Sequence, residues 1–86
     1  LQGCRMYVSC EPCPMCLAAV YWARMDKLIF AATRKDAAAI DFADDEIYRE
    51  ICLPAGERSL HISQCMRPAA LQVMRQWLTL EKRQLY

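Results

Sequence analysis

One short run, Cys10-Glu11-Pro12-Cys13-Pro14-Met15-Cys16, constrains this chain more than any other. An extended, strand-forming segment leads into it and a long apolar stretch leads out. Two thiols stand three residues apart, so on a helix both sulfurs share one face. Pro12 precedes the first thiol and Pro14 lies between the two, and proline is tolerated in a first helical turn, where its missing N–H has no partner to lose. The run therefore reads as a strand-to-helix junction with Cys13 and Cys16 at the helix start. There the positive end of the helix dipole favours thiolates, the form that binds metal.

Around this junction the elements alternate. Cys4 to Ser9 is rich in strand formers. Cys13 to about Arg24 reads as a helix, apolar nearly all round, which predicts a buried one. Met25 to Lys27 turn the chain, and Leu28 to Ala32 is a short apolar run that fits a strand covered on both faces. Thr33 to Ala43 is alanine-rich and mixed, fitting loop plus a helical turn. Asp44 to Cys52 reads as a helix with acids at its favoured start, ended by Pro54, with a turn at Gly56. Ser59 to Cys65 alternates as a third strand. Arg67-Pro68 opens a final helix to about Arg83, with Leu71, Val73, Met74, Trp77, Leu78 and Leu80 as its core stripe. The expectation is one α/β unit of order β-α-β-α-β-α, in which the crossover helix makes the last two strands parallel.

Composition narrows the class. Hydrophobic residues make up 56% of 86, with two glycines and four prolines, so the chain is not a disordered tail. It is also very apolar for so short a domain, which suggests a portion of a larger domain or a partner-covered face. Eleven basic and ten acidic residues leave a net charge of +1. Bulk electrostatics thus gives no support to nucleic-acid binding, and Lys82-Arg83 reads as a solvated helix end. No run of about 18 apolar residues is present, so no membrane span is expected. Six cysteines in a helix-rich chain without a secretion signal fit a reducing, cytoplasmic setting rather than three disulfides. Cys4, Cys52 and Cys65 then read as small buried apolar residues.

Three readings of Cys13 and Cys16 compete. A bare Cys-x-x-Cys could be a redox pair. A structural zinc site needs a second pair, and Cys52 and Cys65, 13 residues apart, do not form one. The third is catalytic zinc: a His-x-Glu segment followed by Pro-Cys-x-x-Cys marks the zinc deaminases, and Pro12 to Cys16 match the second half.

Continuing from that motif, Ala18-Ala19-Val20-Tyr21-Trp22-Ala23-Arg24, Ala31-Ala32, Asp36-Ala37-Ala38, Phe42-Ala43-Asp44-Asp45, Ile47-Tyr48, Glu50-Ile51, Pro54-Ala55, Glu57-Arg58 and Tyr86 resemble the cytidine/deoxycytidylate deaminase-like superfamily, closest in its bacterial guanine deaminase branch. The resemblance covers nearly the whole chain. It implies the three-layer cytidine deaminase-like fold, of which residues 1–86 would be the C-terminal portion of a single domain, without the N-terminal strands and the His-x-Glu helix. It implies Zn2+ bound by Cys13 and Cys16, with the Cys13 backbone N–H donating to the hydrate oxygen or developing charge. Asp44, Trp22 and Tyr86 would contact the purine, with Phe42 as a further wall. Trp22 and Phe42 read equally well as core, Asp44 and Asp45 as helix-start acids, and Tyr86 as a frayed end.

The departure from the pattern is the absence of a His-x-Glu before Cys13. His61, 45 residues after Cys16, reads as structural, and Glu11 lies too close to the turn to be assigned as proton shuttle. No catalytic acid or base is therefore assigned in this chain. The resemblance implies a small-molecule purine substrate, guanine in the leading reading, and a homodimer that exchanges C-terminal segments. A tRNA adenosine or cytosine deaminase portion and a non-catalytic zinc-binding or interaction remnant remain open beside it.

Overall fold

The fold is described from a computed structural model covering residues 1–86. Strand β1 (Arg5–Cys10) leads into helix α1 (Pro14–Trp22), which crosses over to strand β2 (Lys27–Ala32). The two strands pair in parallel, with Tyr7 opposite Ile29 and Cys10 opposite Ala32. A helical crossover is what lets consecutive strands run parallel. The first three elements thus follow the sequence reading within a residue or two.

Local chemistry explains their ends. Cys13 is extended (ψ 166°) before Pro14 opens α1. Arg24 closes α1 in the left-handed region at φ 57°, and Met25 N–H donates back to the Val20 carbonyl. That is the reversal by which helices satisfy their last carbonyls. The Asp26 carboxylate then accepts the Gly3 N–H at 3.0 Å, tying the start of β2 to the turn before β1.

Beyond β2 come α2 (Arg34–Ala38), α3 (Asp45–Ile51), a 3-10 turn at Ala55–Glu57, and α4 (Arg67–Thr79). Thr33 and Asp36 form a reciprocal capping box at the start of α2. The far end of α3 is closed by Arg58, whose guanidinium donates to the carbonyls of Glu50, Ile51 and Leu53 at 3.0 to 3.2 Å. Glu50 in turn accepts the Ser59 N–H at 3.0 Å.

Three expectations need correcting. Ser59 to Cys65 forms no strand, and every residue in it is exposed. Its alternating pattern is present, but a strand is made by its ladder, and no neighbour pairs with it here. The parallel pair is accordingly β1 with β2, not β2 with a third strand. Helix α1 is not buried: Met15 is 77% exposed, and Tyr21 and Trp22 also face outward. Cys4, Cys52 and Cys65 are likewise exposed free thiols, since nothing covers the faces they lie on.

The shape gives the common reason. The Cα atoms span 48 × 38 × 14 Å with a radius of gyration of 18.0 Å. A compact 86-residue domain has a radius near 12 Å, by the usual scaling. Accessible surface is 7662 Å2, against roughly 5,200 Å2 for a compact protein of this mass. Only Ala37, at 6% exposure, is buried. A thickness of 14 Å leaves room for little more than one interlayer spacing of ~10 Å, so these residues form at most two layers. The exposed α4 stripe of Val73, Met74 and Leu78 belongs to the same open surface. No helix is long and apolar enough to cross a membrane.

Candidate metal centre

The junction between β1 and α1 is held from several sides. Glu11 N–H donates to the Ala32 carbonyl at 2.8 Å, extending the parallel ladder past the strand end. The Glu11 carboxylate accepts the Arg34 N–H at 3.1 Å, and the Arg34 guanidinium lies 3.9 Å from its second oxygen. The Tyr48 hydroxyl donates to the Pro12 carbonyl at 2.5 Å. The Arg34 guanidinium carbon sits 4.3 Å from the centroid of the Tyr48 ring. Burial, then the Glu11 charge, pushes the Tyr48 hydroxyl up, which keeps it a protonated donor.

Within this frame Cys13 and Cys16 meet. The Cys13 pKa is lowered, first by the Cys16 backbone N–H and then by the Cys16 thiol, with a smaller part from the Met15 N–H. Cys16 moves the other way, because its thiol is the donor and a charged Cys13 stands beside it. Of the two thiols, Cys13 at the helix start is the one favoured as thiolate. The Cys13 N–H lies outside the intrahelical ladder and remains open.

Asp44 lies close enough to Cys13 for its charge to be felt there. It is the residue before α3, yet its carboxylate accepts no capping hydrogen bond. Its Oδ1 is buried without a partner, and its charge opposes ionisation of Cys13 and of Tyr48. A half-buried carboxylate with an open acceptor suits a ligand that brings N–H groups.

The donor set fits zinc in part. Two adjacent thiolates are soft ligands of the type zinc takes, but zinc needs at least one more protein donor. No group of three His, Cys, Asp or Glu side chains is close enough to hold a metal. His61 is exposed in the 59–65 segment and does not join Cys13 and Cys16.

The other candidates lie elsewhere. Trp22 and Tyr86 do meet, edge to face at 4.7 Å, and the Tyr86 hydroxyl donates to the Trp22 carbonyl. The Arg24 guanidinium covers the Tyr86 ring at 5.0 Å. This cluster stands at the far end of α1, nine residues or ~13 Å of helix from Cys13, so within one chain it is apart from the thiols. Phe42 lines an apolar recess with Cys10, Ala32, Ala37 and Ile40, next to the junction. Asp45 is exposed and lines a surface recess with Arg34, Lys35 and Arg49.

Tyr48 and Arg34 carry no role in the sequence reading. The available signal was spacing: Tyr48 is four residues after Asp44, one turn along the same helix face.

Residues 1–32 match the zinc-binding region of the cytidine and deoxycytidylate deaminases. A guanine deaminase of Bacillus subtilis is 42% identical over all 86 residues, which cover 55% of its length. A tRNA-specific adenosine deaminase of the same organism is 50% identical, but over 32 residues, 37% of this chain and 20% of that protein. Among solved structures, a Bacillus subtilis guanine deaminase superposes with a TM-score of 0.82 at 38% identity, over 95% of this chain and 55% of that one. The chain therefore spans about half the length of these guanine deaminases, and over that half it follows their fold.

Proposed function

We propose that this chain, a cytidine deaminase-like fold carrying the zinc-binding region of the cytidine and deoxycytidylate deaminases, is the C-terminal portion of a zinc-dependent purine deaminase. The substrate proposed is guanine, which with water gives xanthine and ammonia. The observation that carries this reading is the buried, partnerless Oδ1 of Asp44 within electrostatic reach of Cys13. A purine presents N–H donors on one edge, and a carboxylate accepts them in charge-assisted hydrogen bonds.

Cys13 and Cys16 would hold zinc together with a third ligand from outside these residues. Zinc so held supplies a water acidified to near neutrality. The open Cys13 N–H donates to charge developing on the reacting ring. Asp44 orients the base so that its amine-bearing carbon faces the thiol pair. Glu11 does not serve as proton carrier here, because its carboxylate is committed to Arg34. The general acid and base would come with the third ligand, so residues 1–86 alone would not catalyse.

The guanine reading is preferred over tRNA adenosine because the guanine deaminase similarity runs through Asp44 and α4, whereas the adenosine deaminase similarity spans 32 residues. The +1 net charge also gives tRNA binding no support from bulk electrostatics. The exposed apolar α4 face supports a homodimer that exchanges C-terminal segments, and six free thiols suit a reducing, cytoplasmic setting. The test is a deamination assay of the full-length zinc-loaded protein on guanine, on cytosine and on adenosine in a tRNA hairpin. Ammonia release from guanine is expected. Release from the RNA adenosine alone, or a protein that retains no zinc, overturns the proposal.

A further inference from the structure

The turn that presents Cys13 has an unusual weakness. Pro12 has no N–H, so its carbonyl is its one backbone handle. The same peptide group carries the Cys13 N–H, which must stay free to face a ligand. The last atom by which the protein can grip the chain before Cys13 is therefore the Pro12 oxygen, and the Tyr48 hydroxyl grips it.

We propose that Tyr48 is the positioning residue of this centre: by donating to the Pro12 carbonyl it fixes the Pro12–Cys13 peptide, and so aims the Cys13 sulfur and amide with respect to Asp44. The inference rests on the zinc deaminase reading above.

Three observations converge on it. Tyr48 carries the hydrogen bond that joins α3 to the metal turn, between residues 36 apart in sequence. Its ring is held by the Arg34 guanidinium at 4.3 Å, and Arg34 also donates its backbone N–H to Glu11, one residue before Pro12. The clamp thus closes through Glu11, Arg34, Tyr48 and Pro12. Asp44 sits one turn before Tyr48 on the same helix face, so the tether that sets the peptide also sets the spacing between carboxylate and thiols. A hydrogen bond accepted by a peptide carbonyl further polarises that peptide's N–H. Tyr48 therefore strengthens the Cys13 amide as a donor while holding its direction.

The test uses the full-length zinc-loaded protein and the variants Y48F, R34Q and R58A. R58A loosens the far end of α3, where Arg58 grips three carbonyls, without touching the Pro12 contact. Zinc release is followed with a chromophoric chelator, and binding of a tetrahedral hydrate analogue of the purine is measured alongside. Y48F is expected to release zinc about tenfold faster, the scale of losing a group that orients a metal ligand. It should also bind the analogue more weakly, while R58A changes melting temperature but neither readout. R34Q, which frees the ring and keeps the hydroxyl, should fall between them and stands in should Y48F fail to fold. Zinc release by Y48F and R34Q at the parent rate overturns the inference with the deaminase reading intact. So does R58A releasing zinc as fast as Y48F at equal loss of stability. A parent protein without zinc overturns both.

Discussion

Replacing Asp44 by asparagine separates what the residue does for the fold from what it does for a ligand. Asp44 precedes α3 but caps nothing, and its Oδ1 is buried with no partner. A side chain in that state does not stabilise the folded protein. An unpaired buried acceptor instead carries a desolvation penalty of about 1–3 kcal/mol, and the neutral amide lowers it. D44N should therefore leave the melting temperature unchanged or raise it. Binding should move the other way. A hydrogen bond to an ionised acceptor is worth about 1.5–3 kcal/mol, and each 1.4 kcal/mol is tenfold. Loss of the carboxylate should then lower kcat/KM for guanine in the full-length protein by ~10- to 150-fold. The assay is steady-state ammonia release beside a thermal melt of the zinc-loaded protein. A melting temperature that falls with unchanged kcat/KM would make Asp44 a helix-start acid after all and refute the reasoning.

Further outcomes follow from the same geometry. C13S and C16S should each strip zinc from the full-length protein, seen by metal analysis, with the fold retained by circular dichroism. In metal-free protein, Cys13 should react with iodoacetamide at a pH below that of an ordinary thiol, because its pKa is lowered chiefly by the Cys16 N–H. The sign follows: the folded pKa lies below the unfolded value, so the thiolate's stabilising contribution is present above the unfolded pKa and fades as pH falls through the folded one. C16A should raise the reactive pH of Cys13 only part of the way, since the backbone donor remains. R58A removes three hydrogen bonds at the end of α3 and should lower stability by about 2 kcal/mol, a fall of several degrees in a calorimetric melt.

Those parts of the fold that local chemistry determines were legible in the sequence. The Pro12-Cys13-Pro14 junction, α1 with its thiols at the start, and the strands on either side of it come from propensities that lie within 32 residues, whereas the expected parallel partner of β2 was the wrong strand. Ser59 to Cys65 was read as a strand because its pattern alternates, but alternation only describes a strand's two faces and does not provide the neighbour that makes one. The same holds for α1, whose all-round apolar surface signals burial without naming what buries it. At the site, Cys13 and Cys16 stand out in the sequence as a thiol pair suited to a metal, while Asp44 stands out only through the family resemblance. Tyr48 had no role in that reading. A tyrosine donating to a carbonyl 36 residues away leaves no local trace, and on α3 it looks like one more apolar position.

The flat form of these residues has a thermodynamic consequence. Heat-capacity change and denaturant sensitivity both scale with the surface that unfolding exposes. Its 7662 Å2 of folded surface leaves only about three quarters of the exposure on unfolding that a compact chain of this mass would show. On its own it would lose structure gradually, each hydrogen-bonded piece at its own midpoint, rather than in a single transition. All-or-none melting would arise only once another surface seals α1 and α4, so the sharpness of the transition measures how completely the domain has been assembled.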